Sequence, residues 1–115
     1  MTAIYTVETH WDKDARSKMD AYGIPQLMVD TAQAVVDSWG HSFKVSPEDL
    51  KRCPGLAIHI SCAHFRHLLK TFDGDYIRAT RAYGAGEGAV TRSKKLPGIR
   101  YFENVLKQYE RLRMN

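Results

Sequence analysis

The sequence has little of what several common function classes require. Its 115 residues hold two cysteines, Cys53 and Cys62, and four prolines. No Cys-x-x-Cys spacing exists, so a paired-thiolate zinc site is excluded, and nothing requires a disulfide. His59, Cys62, His64 and His67 share one helical stretch. At about 100° per residue His59 and His67 lie about 80° apart and His64 points well away, so neither metal nor cofactor is expected. No apolar run approaches the roughly 18 residues of a membrane span, so no stable membrane insertion is expected. The start shows no basic segment followed by an apolar one, so no signal peptide is expected there. Gly84 to Gly88 has no following Lys-Ser/Thr and is not a phosphate-binding loop. No helix-turn-helix, zinc-finger or aromatic–basic strand motif appears, so nucleic acid is not an expected partner.

What is present is an ordinary globular composition, 43% hydrophobic. That length supports one domain, residues 1–115, with a single core. Lys and Arg outnumber Asp and Glu by 17 to 13, and they gather late, between Arg78 and Arg113. Such a run is a solvated helical surface or a surface that attracts a polyanion. Sustained two-residue alternation is nowhere found, so the fold class is all-α.

The helices can be placed from periodicity and caps. A short one spans residues 2 to 9, with Thr2 as a cap. Residues 10 to 25 are turn-rich and read as an irregular loop, a length that is usually functional. Met28, Ala32, Val35, Val36 and Trp39 mark one face of the next helix, which Gly40 stops. Ser46 and Asp49 form a capping box, with Pro47 at the first helical position, and Pro54-Gly55 interrupts that short helix. The longest helix runs from Leu56 to Phe72 with the stripe Ile58, Cys62, Phe65, Leu69 and Phe72, in which Cys62 reads as a small buried hydrophobe. Asp75 caps a helix from Tyr76 to Tyr83, and Gly84, Gly86 and Gly88 form a loop. Lys94 to Gly98 is a basic linker. The last helix, Ile99 to Arg111, carries Phe102, Val105, Leu106, Tyr109 and Leu112 on one side.

The stretch from Glu8 to Gln26 carries the chemistry. Glu8 closes the apolar run Ala3-Ile4-Tyr5-Val7. Taken alone, a Glu at a helix end is as readily a surface group. In apolar surroundings, however, desolvation disfavours the charged form, and a carboxyl kept protonated serves as a general acid. The spacing Glu8-Thr9, Ala15, Ser17, Ala21, Gly23, Gln26 resembles the pattern Glu-Ser-x5-Ala-x-Ser-x3-Ala-x-Gly-x2-Gln of the lytic transglycosylases. Ala82-Tyr83-Gly84-Ala85-Gly86-Glu87-Gly88-Ala89-Val90 is similar to that family's Ala-Tyr-Asn-Ala-Gly-x-Gly-x-Val. Between them Ser46 to Leu50, an apolar helix and Phe72 to Tyr76 follow the family order. The resemblance covers Val7 to Leu112. Gly84 and Pro25 depart from the usual Asn and Met.

The resemblance implies a lysozyme-like helical domain with a sugar-binding cleft. It also implies cleavage of the β-1,4 bond between N-acetylmuramic acid and N-acetylglucosamine, with formation of a 1,6-anhydro sugar. Glu8 would be the catalytic group. Ser17, Gln26, Met28 and Tyr83 match positions that bind the sugar or shape the cleft; for each a purely structural role is the alternative. Tyr22 and Trp11 are candidates for stacking on sugar rings, or for core packing. The implied partner is the glycan strand of peptidoglycan, met at the cell wall or periplasm by a monomer. Delivery would fall to a pore, virion or secretion apparatus, with a phage setting favoured, or the chain is an excised domain. Two other readings stay open. One is a hydrolytic muramidase on the same fold, using Asp12 or Asp30 as a second carboxylate. The other is a non-catalytic glycan-binding module.

Overall fold

The computed structural model describes residues 1–17, 21–40, 43–92 and 96–113, with Arg92 described by its backbone alone. Lys18, Met19 and Asp20 of the expected loop, and Lys94 and Lys95 of the expected linker, lie outside the described residues. The chain divides into two compact units, Met1–His64 and Phe65–Asn115. The elements are α1 (Thr2–Thr9), β1 (Ala21–Tyr22), β2 (Leu27–Met28), α2 (Val29–Ser38), α3 (Pro47–Arg52), α4 (Pro54–Thr71), α5 (Tyr76–Ala85), α6 (Glu87–Arg92) and α7 (Ile99–Arg113).

In the first unit, Tyr22, Leu27, Ala32, Val36, Val45, Leu50, Ala57 and Ile60 form the core. Leu50 and Ile60 are wholly buried, so truncating either to Ala costs about 2–5 kcal/mol. Ala32 and Val36 face this core as the periodicity expects, but Trp39 and Met28, assigned to the same face, are 37% and 45% exposed. The Ser46–Asp49 capping box is formed in full, with Pro47 opening α3. Thr2 is no cap, since α1 starts behind Met1 without a side-chain cap bond. The all-α expectation is borne out, with one small addition. The stretch 10–25 contributes one strand of a small antiparallel hairpin, with Ala21 opposite Met28 and Tyr22 opposite Leu27. Two-residue strands are too short to leave an alternation.

The expected stripe on the long helix holds in its second half, where Phe72 is buried and Phe65 and Leu69 pack against a core, and fails at Cys62. The buried positions on α4 are Ala57, Ile60, Ser61 and Leu68, while Cys62 is exposed. At that turn the buried position is taken by the polar Ser61 rather than by Cys62. Its hydroxyl donates to the Ile58 carbonyl at 2.9 Å and accepts the Tyr5 hydroxyl of α1. A buried hydroxyl with both partners costs little, but it is invisible to a count of apolar residues. α3 ends at Arg52, before Pro54-Gly55 as expected, and Pro54 also opens α4.

In the second unit, Leu68, Phe72, Ala79, Ala82 and Val90 form the core, flanked by Phe65, Leu69 and Tyr83. Asp75 caps α5, its carboxylate accepting from the backbone N–H groups of Ile77 and Arg78 at 3.0 and 3.1 Å. The glycine loop is shorter than expected. Gly84 lies inside α5 and Gly88 inside α6, leaving only Gly86, at φ 97°, between the helices. Arg81 is buried and its Nε donates to the Pro97 carbonyl at 3.0 Å. Gly98, at φ 75°, packs so closely on Arg81 that a β-carbon would stand 2.5 Å from its carbonyl oxygen. These contacts tether the start of α7 to α5. Along α7 only Val105 of the expected apolar face is buried; Leu106, Tyr109 and Leu112 are exposed.

Candidate active site

Glu8 occupies the last turn of α1 and is half-buried. Immediately beyond it the backbone enters the left-handed region twice, at His10 (φ 50°) and Trp11 (φ 68°). Each such residue costs roughly 1–2 kcal/mol, so the turn must be held by contacts. The His10 N–H caps α1 by donating to the Thr6 carbonyl at 3.1 Å. The Trp11 indole N–H returns to Thr6 Oγ1 at 3.3 Å, and the Trp11 ring meets Tyr5 edge-on at 5.3 Å. Trp11 thus folds back onto α1 and bends the chain directly after Glu8.

Two tethers fix the helix that carries Glu8. Tyr5, three residues earlier, is buried and bonded to Ser61, with Cys62 Sγ 3.5 Å from its hydroxyl. Burial pushes the Tyr5 phenol well above the ordinary tyrosine range. Thr9, the residue after Glu8, donates from Oγ1 to the Ile24 carbonyl at 2.9 Å. This second bond brings the end of α1 to the turn of the hairpin.

That turn is built by Gly23 and Gln26. Gly23 stands at φ 77°, and a β-carbon there would collide with the Leu50 carbonyl of α3; only glycine fits. Its N–H donates to the Ala15 carbonyl at 2.9 Å. Gln26 is itself left-handed, at φ 52°. Its backbone N–H and its Nε2 both donate to the Gly23 carbonyl, at 3.0 and 3.2 Å. Ser17 closes the loop from the other side, donating its N–H to the Ala21 carbonyl and accepting the Ala21 N–H on Oγ, at 2.9 and 3.0 Å.

The structure therefore gathers Thr9, Gly23, Ile24 and Gln26, with Ser17 bracing the hairpin. It separates Tyr22 from that group of candidates. Tyr22 is a core residue, with Arg16 and Lys51 each within 6 Å of its ring centre, a poor platform for a sugar. Met28 is exposed at the end of the hairpin. Tyr83 belongs to the second unit, where it is half-buried and meets Phe65 edge-on at 6.3 Å. Among the described residues no group of three His, Cys, Asp or Glu is placed to hold a metal ion; His67 pairs with Glu87 at 3.2 Å. Asp12 is exposed and its carboxylate accepts the Asp14 N–H at 3.0 Å, a local turn. Thr9 and Trp11, the residues that hold Glu8 in place, were not legible as such. Their partners lie fifteen residues away in one case and behind them on α1 in the other.

Solved structures place this fold among the soluble lytic transglycosylases. The 70-kDa soluble lytic transglycosylase of Escherichia coli superimposes with a TM-score of 0.84 at 26% identity, over 98% of this chain and 21% of that one. An inactive mutant of the lytic transglycosylase Slt of Pseudomonas aeruginosa gives 0.76 at 26% identity, over 92% and 20%. The chain belongs to the transglycosylase SLT domain family, whose profile matches residues 1–106. It is also 33% identical over 81 residues to the peptidoglycan transglycosylase gp16 of Escherichia phage T7, a match covering 70% of this chain and 6% of that protein. The chain thus spans a small part of the phage relative and about a fifth of each solved chain.

Proposed function

We propose that this chain is a peptidoglycan lytic transglycosylase domain in which Glu8 is the single catalytic carboxyl. The observation that carries the proposal is the pinning of Glu8 between the Tyr5–Ser61 and Thr9–Ile24 tethers, at the hairpin built by Gly23 and Gln26. Protonated Glu8 gives its proton to the oxygen of the β-1,4 bond between N-acetylmuramic acid and N-acetylglucosamine as the bond to the anomeric carbon breaks. The muramoyl 6-hydroxyl then attacks that carbon and returns its proton to the Glu8 carboxylate. A 1,6-anhydro ring forms and no water is consumed. The substrate's own N-acetyl group steadies the oxocarbenium-like centre, so a second enzymic carboxylate is unnecessary. The use of Asp12 in a local turn supports this over hydrolysis, which would need a base for water.

In this reading Gln26 and Ser17 present the hairpin to the sugar, and Met28 offers an exposed thioether beside it. Tyr83, in the second unit, is a separate proposal for a sugar-binding hydroxyl. The domain works as a monomer at the cell wall, and its likeness to the phage protein supports a phage setting. Among the described residues no helix is long and apolar enough to cross a membrane.

The test is digestion of purified peptidoglycan with mass spectrometry of the soluble products, alongside Glu8→Gln. Anhydro ends, about 18 Da lighter than reducing ends, are expected from the wild type and none from the variant. Reducing ends would replace the proposal with a hydrolytic muramidase. Wall binding without release by either protein would leave a glycan-binding module.

A further inference from the structure

The first unit holds an open cavity of about 450 Å³ lined by Val36, Trp39, Phe43, Leu56 and His59. None of these residues belongs to the Glu8 hairpin. The volume is that of a small-ligand site. Its floor is aliphatic, Val36 and Leu56, and its rim is aromatic. Trp39 and Phe43 keep 37% and 45% of their surface exposed, so both rings are reachable from solvent. The rim is also held in place. Trp39 lies against His59 with ring centres 5.1 Å apart. The Gln33 side chain clamps the segment behind Phe43, Nε2 donating to the Phe43 carbonyl at 2.9 Å and Oε1 accepting the Val45 N–H at 2.8 Å. Val45 is a core residue, so Phe43 is fixed to the body of the unit.

The described lining contains no Lys, Arg, Asp or Glu, which disfavours an anionic or cationic ligand and favours a neutral one. The electron-rich faces of an indole and a phenyl ring attract weakly positive C–H groups, and the flat face of a pyranose presents a row of them. His59 adds a polar ring to the lining for hydroxyl or acetamido oxygens. We infer that this cavity is a second saccharide site, binding β-1,4-linked N-acetylhexosamine units of the same glycan on which the Glu8 site is proposed to act. The inference rests on that proposed function for its choice of sugar. Its work would be to hold the polymer between cleavage events, which raises the effective concentration of further bonds.

The chain has two tryptophans, Trp11 and Trp39, which makes the site observable. In the full chain carrying Trp11→Phe and Glu8→Gln, all indole emission comes from Trp39 and no sugar is consumed. Titration with chitotetraose should change that emission saturably. Phe43→Ala in the same background should weaken the apparent Kd about tenfold, with a melting curve confirming that this exposed position leaves the fold intact. In the otherwise native chain, Trp39→Ala should slow release from insoluble peptidoglycan several-fold more than from short soluble glycan fragments. Emission that stays flat to the solubility limit of chitotetraose overturns the inference. So does a response to apolar peptide in place of sugar, which would make the cavity a peptide site. The two proposals fail separately. If the wild type releases anhydro products while Trp39 is silent, only the second site falls; if Trp39 responds but no wall is cleaved, only the catalytic reading falls.

Discussion

Tyr101 of α7 lies flat against the backbone of Gly84 in α5. A β-carbon on Gly84 would stand 2.5 Å from the Tyr101 Cγ and 2.6 Å from Cδ1. The two residues are a matched pair, one ring filling the space that one side chain leaves. Glycine inside a helix ordinarily costs about 1 kcal/mol relative to alanine, so Gly84→Ala should stabilise an isolated helix. Here overpacking dominates, and the substitution should destabilise the protein by about 1–3 kcal/mol. In a Tyr101→Ala background the same change should become neutral or stabilising. Denaturant melts of the four proteins in the cycle decide the matter; if Gly84→Ala has the same sign in both backgrounds, the packing account is wrong.

This pair also marks where the sequence was legible and where it was not. The Ser46–Asp49 box and the Asp75 cap were readable because their partners lie two or three residues away. The Gly84 substitution stood out against the family pattern, but its cause, Tyr101, lies seventeen positions on. On α4 the expectation failed at Cys62 rather than at Phe65, Leu69 or Phe72, because Ser61 counts as polar until its partner Tyr5 is known. Within the candidate site, Glu8, Ser17, Gly23 and Gln26 were visible as a spacing. The spacing did not show that Gln26 folds back on Gly23, or that Tyr22 turns into the core.

Gln26 combines a left-handed backbone with a non-glycine side chain. A position that keeps such strain is a candidate for function. Gln26→Gly removes the strain and also the side-chain bond to the Gly23 carbonyl, so stability should stay within about 1 kcal/mol of the wild type. Activity on peptidoglycan should nevertheless fall tenfold or more, about 1.4 kcal/mol of transition-state binding. Gly substitution that leaves the rate untouched would show that Gln26 only shapes the turn.

The buried Tyr5 phenol predicts a response to alkali. Its folded pKa lies above the unfolded value of about 10. Its contribution to stability is therefore complete below about pH 10 and is lost as pH rises beyond that. Melting temperatures taken across that window should fall more steeply for the wild type than for Tyr5→Phe. A tyrosinate absorbance titration should show Tyr5 ionising only as the fold gives way, as the part of the signal that Tyr5→Phe removes. Parallel alkaline profiles for the two proteins would refute the assignment.

The bond from Thr9 to the Ile24 carbonyl allows holding the fold to be separated from placing Glu8. Thr9→Val keeps the shape and removes the donor, which should cost about 0.5–1.5 kcal/mol of stability. That loss alone leaves a protein of ordinary stability almost wholly folded at 25 °C, so a structural role predicts an unchanged rate there. If the bond instead fixes the end of α1, and with it Glu8 beside the hairpin, kcat should drop about tenfold or more with KM little altered, because displacement of a catalytic group acts on the transition state. Thr9→Ser, which restores the hydroxyl, should recover most of the rate. Thr91→Val serves as the control: its hydroxyl donates to the Glu87 carbonyl at 2.9 Å on α6, and it belongs neither to α1 nor to the hairpin. A rate loss in Thr9→Val that serine does not repair would assign the effect to packing and leave the tether without a role in placing Glu8.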